Sequence, residues 1–177
     1  MRIYGKCVAK GVAEGFALVS KTPLTFYGGV DPNTGFVIER GHELYNECLK
    51  DRVLILPTTK GSTVAPYIIL RLKANGCAPT AMIFMKAEPT TAVGAILADI
   101  PTIHNLSLDI FSVVMNGMKV KVVSSRDKSY VEVIPNKILC PNCKEEILEK
   151  AEEGWFCKEC EFHCRNMNVN MGEGSFR

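Results

Sequence analysis

The chain has 177 residues, of which 47% are hydrophobic and 23% are charged, and its formal net charge is +2. This composition is that of an ordinary globular protein and excludes a wholly disordered chain, and the length suffices for one well-cored domain plus a small appendage. The nearly balanced charge does not favour nucleic acid as a partner, and the longest apolar runs are far short of a membrane span. Because residues 1–6 lack the apolar core of a signal peptide, we expect a cytoplasmic protein.

The N-terminal part of the chain contains short predicted strands. Residues 2–9 and 16–20 are predicted to be strands on either side of a turn at 11–15, which has a glycine at each end. Residues 36–38 are predicted to form a further short strand.

A loop rich in turn-forming residues occupies positions 23–35. It contains two predicted tight turns, at Gly28-Gly29 and at residues 32–35. Long irregular loops in compact domains are more often functional than idle. Asp31 is therefore either a residue that stabilises a turn or a polar contact in a substrate cleft.

A buried strand followed by an amphipathic helix forms the predicted centre of the domain. The aliphatic residues 53–56 end at a proline, and apolar residues then recur at helical spacing from Val64 to Lys73. We predict that Ser62 or Thr63 is the N-cap, which places Ser62 where a helix presents free N–H groups. Such a position favours negative charge and could stabilise a serine alkoxide or bind an anionic substrate group. Most Gly-Ser-Thr sequences before a helix are simple caps, and local sequence leaves this alternative open.

The rest of the predicted domain is a mixed sheet. Predicted strands at 81–85 and 101–103 flank a helix of small residues at 92–98, and residues 119–125 and 129–134 alternate like a hairpin. The order strand, helix, strand, helix, strand predicts a parallel α/β centre.

Two loops are expected at the ligand-binding edge of this sheet. Ligands of parallel sheets collect beyond the carboxyl ends of the strands. The loop containing Lys60, Gly61 and Ser62 and the loop at 87–91 both follow such ends.

Four cysteines near the C-terminus have the spacing of a zinc ribbon. Cys140 and Cys143 form one Cys-x-x-Cys pair, and Cys157 and Cys160 form a second pair after thirteen intervening residues. Two such pairs supply four thiolates to one tetrahedral metal, for which zinc is favoured over a rubredoxin-type iron. His163 and Cys164 are spare donors.

The predicted domain organisation follows from this motif. Residues 1–135 form the main domain, 136–166 the zinc ribbon and 167–177 a flexible tail. The ribbon could be structural, a docking surface or a nucleic-acid module. The six Lys or Arg and eight Asp or Glu from residue 136 to the C-terminus give a local charge of −2, which argues against binding to phosphates.

Several short motifs, taken in order, resemble one family. They are Gly11-x-Ala13-Glu14-Gly15, then Phe26-x-Gly28-Gly29-Val30-Asp31-Pro32-x-Thr34-Gly35-x-Val37-Ile38-Glu39, Lys60-Gly61-Ser62, Ala78-Pro79, Ala87-Glu88-Pro89 and Gly94-Ala95-Ile96. Together they resemble the swivel domain of the aconitase X family over roughly residues 1–135. The resemblance implies an α/β fold, a swivelling β/β/α domain with a mixed sheet, to which the small C-terminal zinc-ribbon module is added.

The resemblance also implies a partner and a reaction. The partner would be a large aconitase-like subunit carrying an iron–sulfur cluster on its own cysteines, because the solitary cysteines of residues 1–135 form no cluster-binding set. The pair would be a hydro-lyase, active only when assembled, that removes water from the phosphorylated hydroxy acid (R)-5-phosphomevalonate in an isoprenoid route.

The resemblance assigns roles to residues of this chain. The proton-accepting serine maps onto Ser62, and we expect Lys60 and the backbone of Gly61 and Thr63 to bind a carboxylate or phosphate, with Asp31 as a further candidate contact. The family often has more Ser and Gly after this serine, so the substrate is less firmly indicated than the chemistry. The alternatives are a related dehydratase acting on a hydroxyproline-type or other hydroxy acid, and a non-catalytic zinc-ribbon binding protein.

Overall fold

The computed structural model describes residues 1–144, 147–151, 154–160 and 163–164. Over these residues the chain forms a mixed sheet with two α-helices and a short 3-10 helix at Ile110–Ser112. The helices are α1 (Ala65–Ala74) and α2 (Pro89–Leu97). The strands are β1 (Arg2–Ala9), β2 (Gly11–Val19), β3 (Arg52–Leu56), β4 (Ala81–Phe84), β5 (Thr102–His104), β6 (Met118–Ser124), β7 (Ser129–Leu139), β8 (Ile147–Ala151), β9 (Gly154–Phe156) and β10 (His163–Cys164).

The first seven strands close into a barrel. Their order is β1-β5-β4-β3-β2-β6-β7, and β1 also pairs with β7. Strand β1 closes the ring because its first half pairs with β7, with Ile3 opposite Val131, and its second half pairs with β5, with Cys7 opposite Ile103. Strands β2 to β5 are parallel and the other pairs are antiparallel. The predicted α/β fold with a mixed sheet is confirmed.

Alternation along the strands produces two buried clusters, because successive side chains point to opposite faces. On β3, Val53 and Ile55 belong to one cluster, and Leu54 and Leu56 belong to the other. The first, the barrel cluster, receives residues from all seven strands: Ile3, Ala17, Val53, Ile83, Ile103, Val120 and Val131. The second, the helix cluster, fills the space between the parallel strands and the two helices.

The two helices pack directly on each other as well as on the sheet. A Cβ atom on Gly94 of α2 would lie 2.9 Å from the Cα atom of Pro66 in α1, so a glycine is needed where the helices approach most closely. Pro66 lies in the first turn of α1, where a missing N–H is tolerated, and Asn75 is the C-cap residue.

Two N-terminal predictions are wrong. The predicted turn at 11–15 is part of β2, which begins at Gly11 and pairs with β6. Gly15 serves close packing there, since a Cβ atom would lie 2.9 Å from Cγ2 of Thr80. The predicted strand at 36–38 forms only two single bridges, one between Phe36 and Cys48 and one between Val37 and Val30.

The C-terminal module is continuous with the barrel. Strand β7 runs through the predicted domain boundary between residues 135 and 136, and its Ile138 pairs with Met118 of β6 and with Leu148 of β8. Cys140, Leu148, Trp155 and Cys157 belong to the barrel cluster. The ribbon therefore shares a strand and a hydrophobic core with the main domain.

The predicted flexible tail, 167–177, lies outside the described residues, as do the side chains of His163 and Cys164. The predictions for these residues therefore stay predictions. Within the described residues, neither helix has the length and apolar character needed to cross a membrane.

Candidate functional site

The loop between β3 and α1, residues 57–64, is called the site loop. It continues the parallel pairing of β2 and β3 beyond their ends: Thr59 forms a parallel bridge with Leu24, and the Lys60 N–H donates to the Leu24 carbonyl oxygen at 2.9 Å. The backbone that carries Lys60 is therefore fixed to the strand layer. The expected placement of this loop at the carboxyl edge of the parallel strands is confirmed.

Ser62 lies half-buried just before α1. Its Oγ accepts a hydrogen bond from the Val64 N–H at 3.2 Å, and its carbonyl oxygen accepts one from the Ala65 N–H at 3.1 Å. The prediction that Ser62 or Thr63 is the N-cap is wrong, because α1 begins at Ala65 and its N-cap is Val64, without a side-chain cap. The helix starts later than predicted because the Ser62 side chain forms its own turn with Val64.

The amide groups around Ser62 are available to a ligand. Among the residues that the structure describes, the N–H groups of Gly61, Ser62 and Thr63 donate to no protein acceptor. Consecutive free N–H groups before a helix form a favourable environment for an anion.

Lys60 is held in an ion pair with Glu39. The Lys60 ammonium contacts Oε1 of Glu39, and Oε2 of Glu39 accepts a hydrogen bond from the Thr25 N–H at 3.1 Å. Partial burial alone would raise the pKa of Glu39, but the hydrogen bonds from Lys60 and from the Thr25 amide outweigh burial and lower that pKa below its ordinary value.

A tight hairpin at residues 29–38, the glycine hairpin, places Glu39. The Gly29 carbonyl oxygen accepts hydrogen bonds from the N–H groups of Ile38 at 2.8 Å and Glu39 at 3.2 Å. A Cβ atom on Gly29 would lie 2.2 Å from the Thr25 carbonyl oxygen and 3.0 Å from Oε2 of Glu39. A glycine is therefore required where the hairpin brings the Glu39 carboxylate against Thr25.

The loop before α2 contacts the site loop from the other side. Oε2 of Glu88 accepts hydrogen bonds from the N–H groups of Thr90 at 2.9 Å and Thr91 at 3.2 Å, and its Oε1 would lie 3.4 Å from a Cβ atom on Gly61. The hydroxyl groups of Thr59 and Thr91 are 2.6 Å apart in a buried hydrogen bond. The two loops expected at this edge are thus in contact.

Sequence reasoning gave no role to Glu39 or Glu88. The signal for Glu88 is local, because an acidic residue before Pro89 and two threonines marks the start of a helix. Glu39 carries no comparable signal, since its partner Lys60 is 21 positions away in the sequence.

Asp31 lies at the opposite end of α1 from Ser62. Its Oδ1 accepts the Asn33 N–H at 3.0 Å and its Oδ2 accepts the Thr34 hydroxyl at 2.7 Å. The neighbouring Pro32 carbonyl oxygen binds Asn75, at the C-terminus of α1. These hydrogen bonds, first the one from the Asn33 amide, lower the pKa of Asp31. The structure gives Asp31 a role in the turn and does not bring it to Ser62; substrate binding by Asp31 stays a prediction.

The four ribbon cysteines converge on one point. Their sulfur atoms all lie within 4.8 Å of one another, with Cys140 and Cys160 at 3.7 Å and Cys143 and Cys157 also at 3.7 Å. A tetrahedral zinc–thiolate site with bonds of about 2.3 Å has sulfur–sulfur edges of about 3.8 Å. The donor set and its spacing therefore fit one tetrahedral metal ion.

The surroundings of this cluster also fit a cation. Burial raises the pKa of Cys157 to about 12, so a thiolate there requires a compensating positive charge. Trp155 and Leu148 pack in the same cluster as the buried Cys140 and Cys157, while Cys143 and Cys160 are partly exposed.

Comparison with known proteins gives a consistent result. A family model described as the aconitase X swivel domain matches residues 2–133. The phosphomevalonate dehydratase small subunit of Methanococcoides burtonii is 46% identical over 134 residues, which are 76% of this chain and 96% of that protein. The protein of the same name from Methanocella arvoryzae is 50% identical over 122 residues, 69% of this chain and 92% of that protein.

A solved structure agrees with these matches. The crystal structure of Thermococcus kodakaraensis aconitase X in its holo-form superposes with a TM-score of 0.70 at 39% identity, over 76% of this chain and 98% of that chain. The family match ends at residue 133, before the four ribbon cysteines. The relatives named as small subunits have, by that name, a larger partner subunit.

Proposed function

Because this chain belongs to the aconitase X swivel domain family, we propose that it is the small subunit of a dehydratase that removes water from (R)-5-phosphomevalonate to give trans-anhydromevalonate 5-phosphate in the archaeal mevalonate pathway. The relatives named phosphomevalonate dehydratase small subunit support the substrate. The large subunit would carry the iron–sulfur cluster, and the assembled pair would be the active hydro-lyase. The free thiols of Cys7, Cys48 and Cys77 support a reducing compartment, the cytoplasm.

One observation carries the catalytic role of Ser62: its Oγ is an acceptor, not a donor, in its hydrogen bond with the Val64 N–H. A donor aimed at the oxygen stabilises negative charge on it, and so does the N-terminus of α1. A free serine hydroxyl is a poor acid, and these two contributions lower the free energy of its alkoxide. Ser62 is thus suited to accept a proton from carbon.

The residues of this chain transfer the proton and bind the substrate, whereas the partner subunit assists the departure of the hydroxyl group. The partner's iron–sulfur cluster would supply a Lewis acid for the departing hydroxyl group. The Ser62 alkoxide takes the proton from the adjacent carbon and becomes a hydroxyl, so that the C–H electron pair forms the new double bond as the C–O bond to the departing hydroxyl group breaks. The free N–H groups of Gly61 and Thr63 and the Lys60 ammonium bind the carboxylate or phosphate and orient that carbon.

The test is Ser62→Ala in the reconstituted two-subunit enzyme. We expect kcat to fall by on the order of 10²–10⁴, the usual contribution of a general base, while the two subunits still co-purify. Ser107→Ala is the matched control, because Ser107 is exposed and forms its hydrogen bond to Tyr4 through its backbone N–H. Turnover by Ser62→Ala equal to that of the control would remove Ser62 from the mechanism.

Substrate identity needs a separate assay. The assembled enzyme is tested on (R)-5-phosphomevalonate and on a hydroxyproline-type acid. Preference for the phosphorylated acid supports the proposal. Preference for the other acid would keep the dehydratase chemistry and replace the substrate.

We also propose that Cys140, Cys143, Cys157 and Cys160 hold a zinc ion, which the sulfur spacing supports. Purified protein should contain one zinc per chain by elemental analysis, and cobalt substitution should give the absorption of a tetrahedral tetrathiolate. Cys143→Ser should lower metal content, whereas Cys7→Ser, a change outside the cluster, should not. An equal metal content in the two variants would place the metal elsewhere.

A further inference from the structure

We propose that Glu39 is a positioning residue that holds Lys60 at the site. This inference rests on the proposed function, since it assigns Glu39 a task in the binding of the anionic substrate. Glu39 acts through the Lys60 ammonium, which its Oε1 contacts.

Neighbouring residues hold the Glu39 carboxylate in place, so this ion pair is not formed by two freely moving side chains. The Glu39 side chain is 19% exposed, whereas the Lys60 side chain is 51% exposed. The Thr25 N–H fixes the second carboxylate oxygen at 3.1 Å, and Gly29 leaves the space that the carboxylate occupies. A fixed, mostly buried acceptor therefore faces a lysine whose backbone is tied to Leu24.

This ion pair restricts the Lys60 side chain but leaves some of its N–H donors available to a ligand. An ammonium group has three N–H donors, and one of them suffices for Glu39. The Lys60 side chain is 51% exposed, so its remaining donors are accessible, and the site loop also carries the free N–H groups of Gly61 and Ser62. A flexible lysine loses side-chain entropy when it binds a ligand, and an acceptor that already holds it reduces that loss.

A double-mutant cycle in the reconstituted enzyme tests the proposal. The variants are Glu39→Gln, Lys60→Met and the double substitution; the glutamine keeps an oxygen for the Thr25 N–H. We expect Glu39→Gln and Lys60→Met each to lower kcat/KM by about tenfold or more. We expect the double variant to be no worse than Lys60→Met, because a residue that acts only through Lys60 has no effect once Lys60 is gone.

The chain offers a matched control for the charge change. Glu47 forms an ion pair with Lys144 in which the side-chain exposures are 23% and 51%, close to those of the Glu39 pair. Glu47→Gln should leave kcat/KM unchanged. The positioning role would be overturned if the losses in kcat/KM of Glu39→Gln and Lys60→Met multiplied in the double variant. It would also be overturned if the kcat/KM of Glu39→Gln equalled that of Glu47→Gln.

A second readout needs neither partner nor activity. In the isolated chain, the Lys60 ammonium should give an NMR signal slowed in exchange by its hydrogen bond, and Glu39→Gln should abolish that signal while Glu47→Gln preserves it. If Ser62→Ala retains turnover but the Lys60 signal still depends on Glu39, the proposed function fails and the contact stands. An unchanged Lys60 signal in Glu39→Gln would sink the positioning inference alone.

Discussion

Gly29 is the residue on which the geometry beside Ser62 depends most sharply. Gly29→Ala places a methyl group 2.2 Å from the Thr25 carbonyl oxygen, which belongs to the backbone and cannot rotate away. We expect the free energy of unfolding to decrease by an amount near the upper end of about 1–3 kcal/mol, which is the usual cost of overpacking. Urea unfolding followed by circular dichroism measures the loss.

Gly41→Ala is the control for that substitution. Gly41 has φ of 82°, but no atom of the described residues lies within 4 Å of a Cβ atom there, so alanine meets backbone strain alone, about 1 kcal/mol. Equal losses in the two variants would show that the Gly29 site has room for a side chain.

Protonation of Glu39 gives a prediction with a definite sign. Its pKa is lowered in the folded chain, so its stabilising contribution is present in full above the ordinary carboxyl pKa of about 4.3 and is lost as the pH falls through the lowered value. The difference in unfolding free energy between wild type and Glu39→Gln should therefore be constant from about pH 7 to pH 5 and shrink below about pH 4. Because Lys60 is half exposed, the difference at neutral pH should not exceed about 1 kcal/mol. A difference that grows on acidification would contradict this.

At the scale of single elements, α2 depends on its cap. Glu88→Ala removes the acceptor for the N–H groups of Thr90 and Thr91, so we expect a loss of about 1 kcal/mol in unfolding free energy. Glu14→Ala is the control. The Glu14 side chain forms an exposed ion pair with Lys121 at 3.5 Å and no other ion pair within the part of the chain that the structure describes, so this substitution should change stability by less than about 0.5 kcal/mol. Urea unfolding curves of both variants decide the point; a Glu88→Ala protein as stable as Glu14→Ala would show that the cap contributes little.

The elements that sequence predicted well are those with strong local patterns. The buried strand at 53–56, the helix after it and the hairpin of β6 and β7 all follow from apolar periodicity. Sequence failed where neighbours decide conformation: Gly11 and Gly15 suggested a turn, yet both lie in β2 because Pro101 and Thr80 pack against them. Glycine marks both turns and close packing, and local sequence does not separate the two.

In the candidate site, too, local motifs were informative and contacts between distant residues were not predicted. The motifs indicated the family, which the family match over residues 2–133 confirms. They also pointed to the site loop, whose role in catalysis stays a prediction. They did not reveal that Lys60 is paired with Glu39, since that contact exists only once the glycine hairpin folds over the loop. The helix start was placed too early because the turn formed by Ser62 and Val64 competes with helical capping.

At the scale of the whole molecule, the ribbon and the barrel should unfold together. They share strand β7 and the barrel cluster, and Lys144 in the ribbon forms an ion pair with Glu47 in the main domain. Trp155 is the chain's single tryptophan and lies buried in the ribbon, so its fluorescence reports on the ribbon, while circular dichroism reports mainly on the barrel. With metal bound, we expect the two signals to change at the same temperature, as in one cooperative unit.

Removal of the metal should break this agreement in a particular way. A strong chelator, or Cys143→Ser, leaves the remaining thiols without the ion that holds them together, and small metal-bound modules lose their fold without it. The fluorescence transition should then occur at a lower temperature or vanish. The midpoint temperature of the circular dichroism transition should also fall by several degrees, because Cys140, Trp155 and Cys157 no longer pack in the barrel cluster. Cys7→Ser should leave both transitions in place, and a barrel transition unaffected by the chelator would mean that the ribbon contributes nothing to the stability of the main domain.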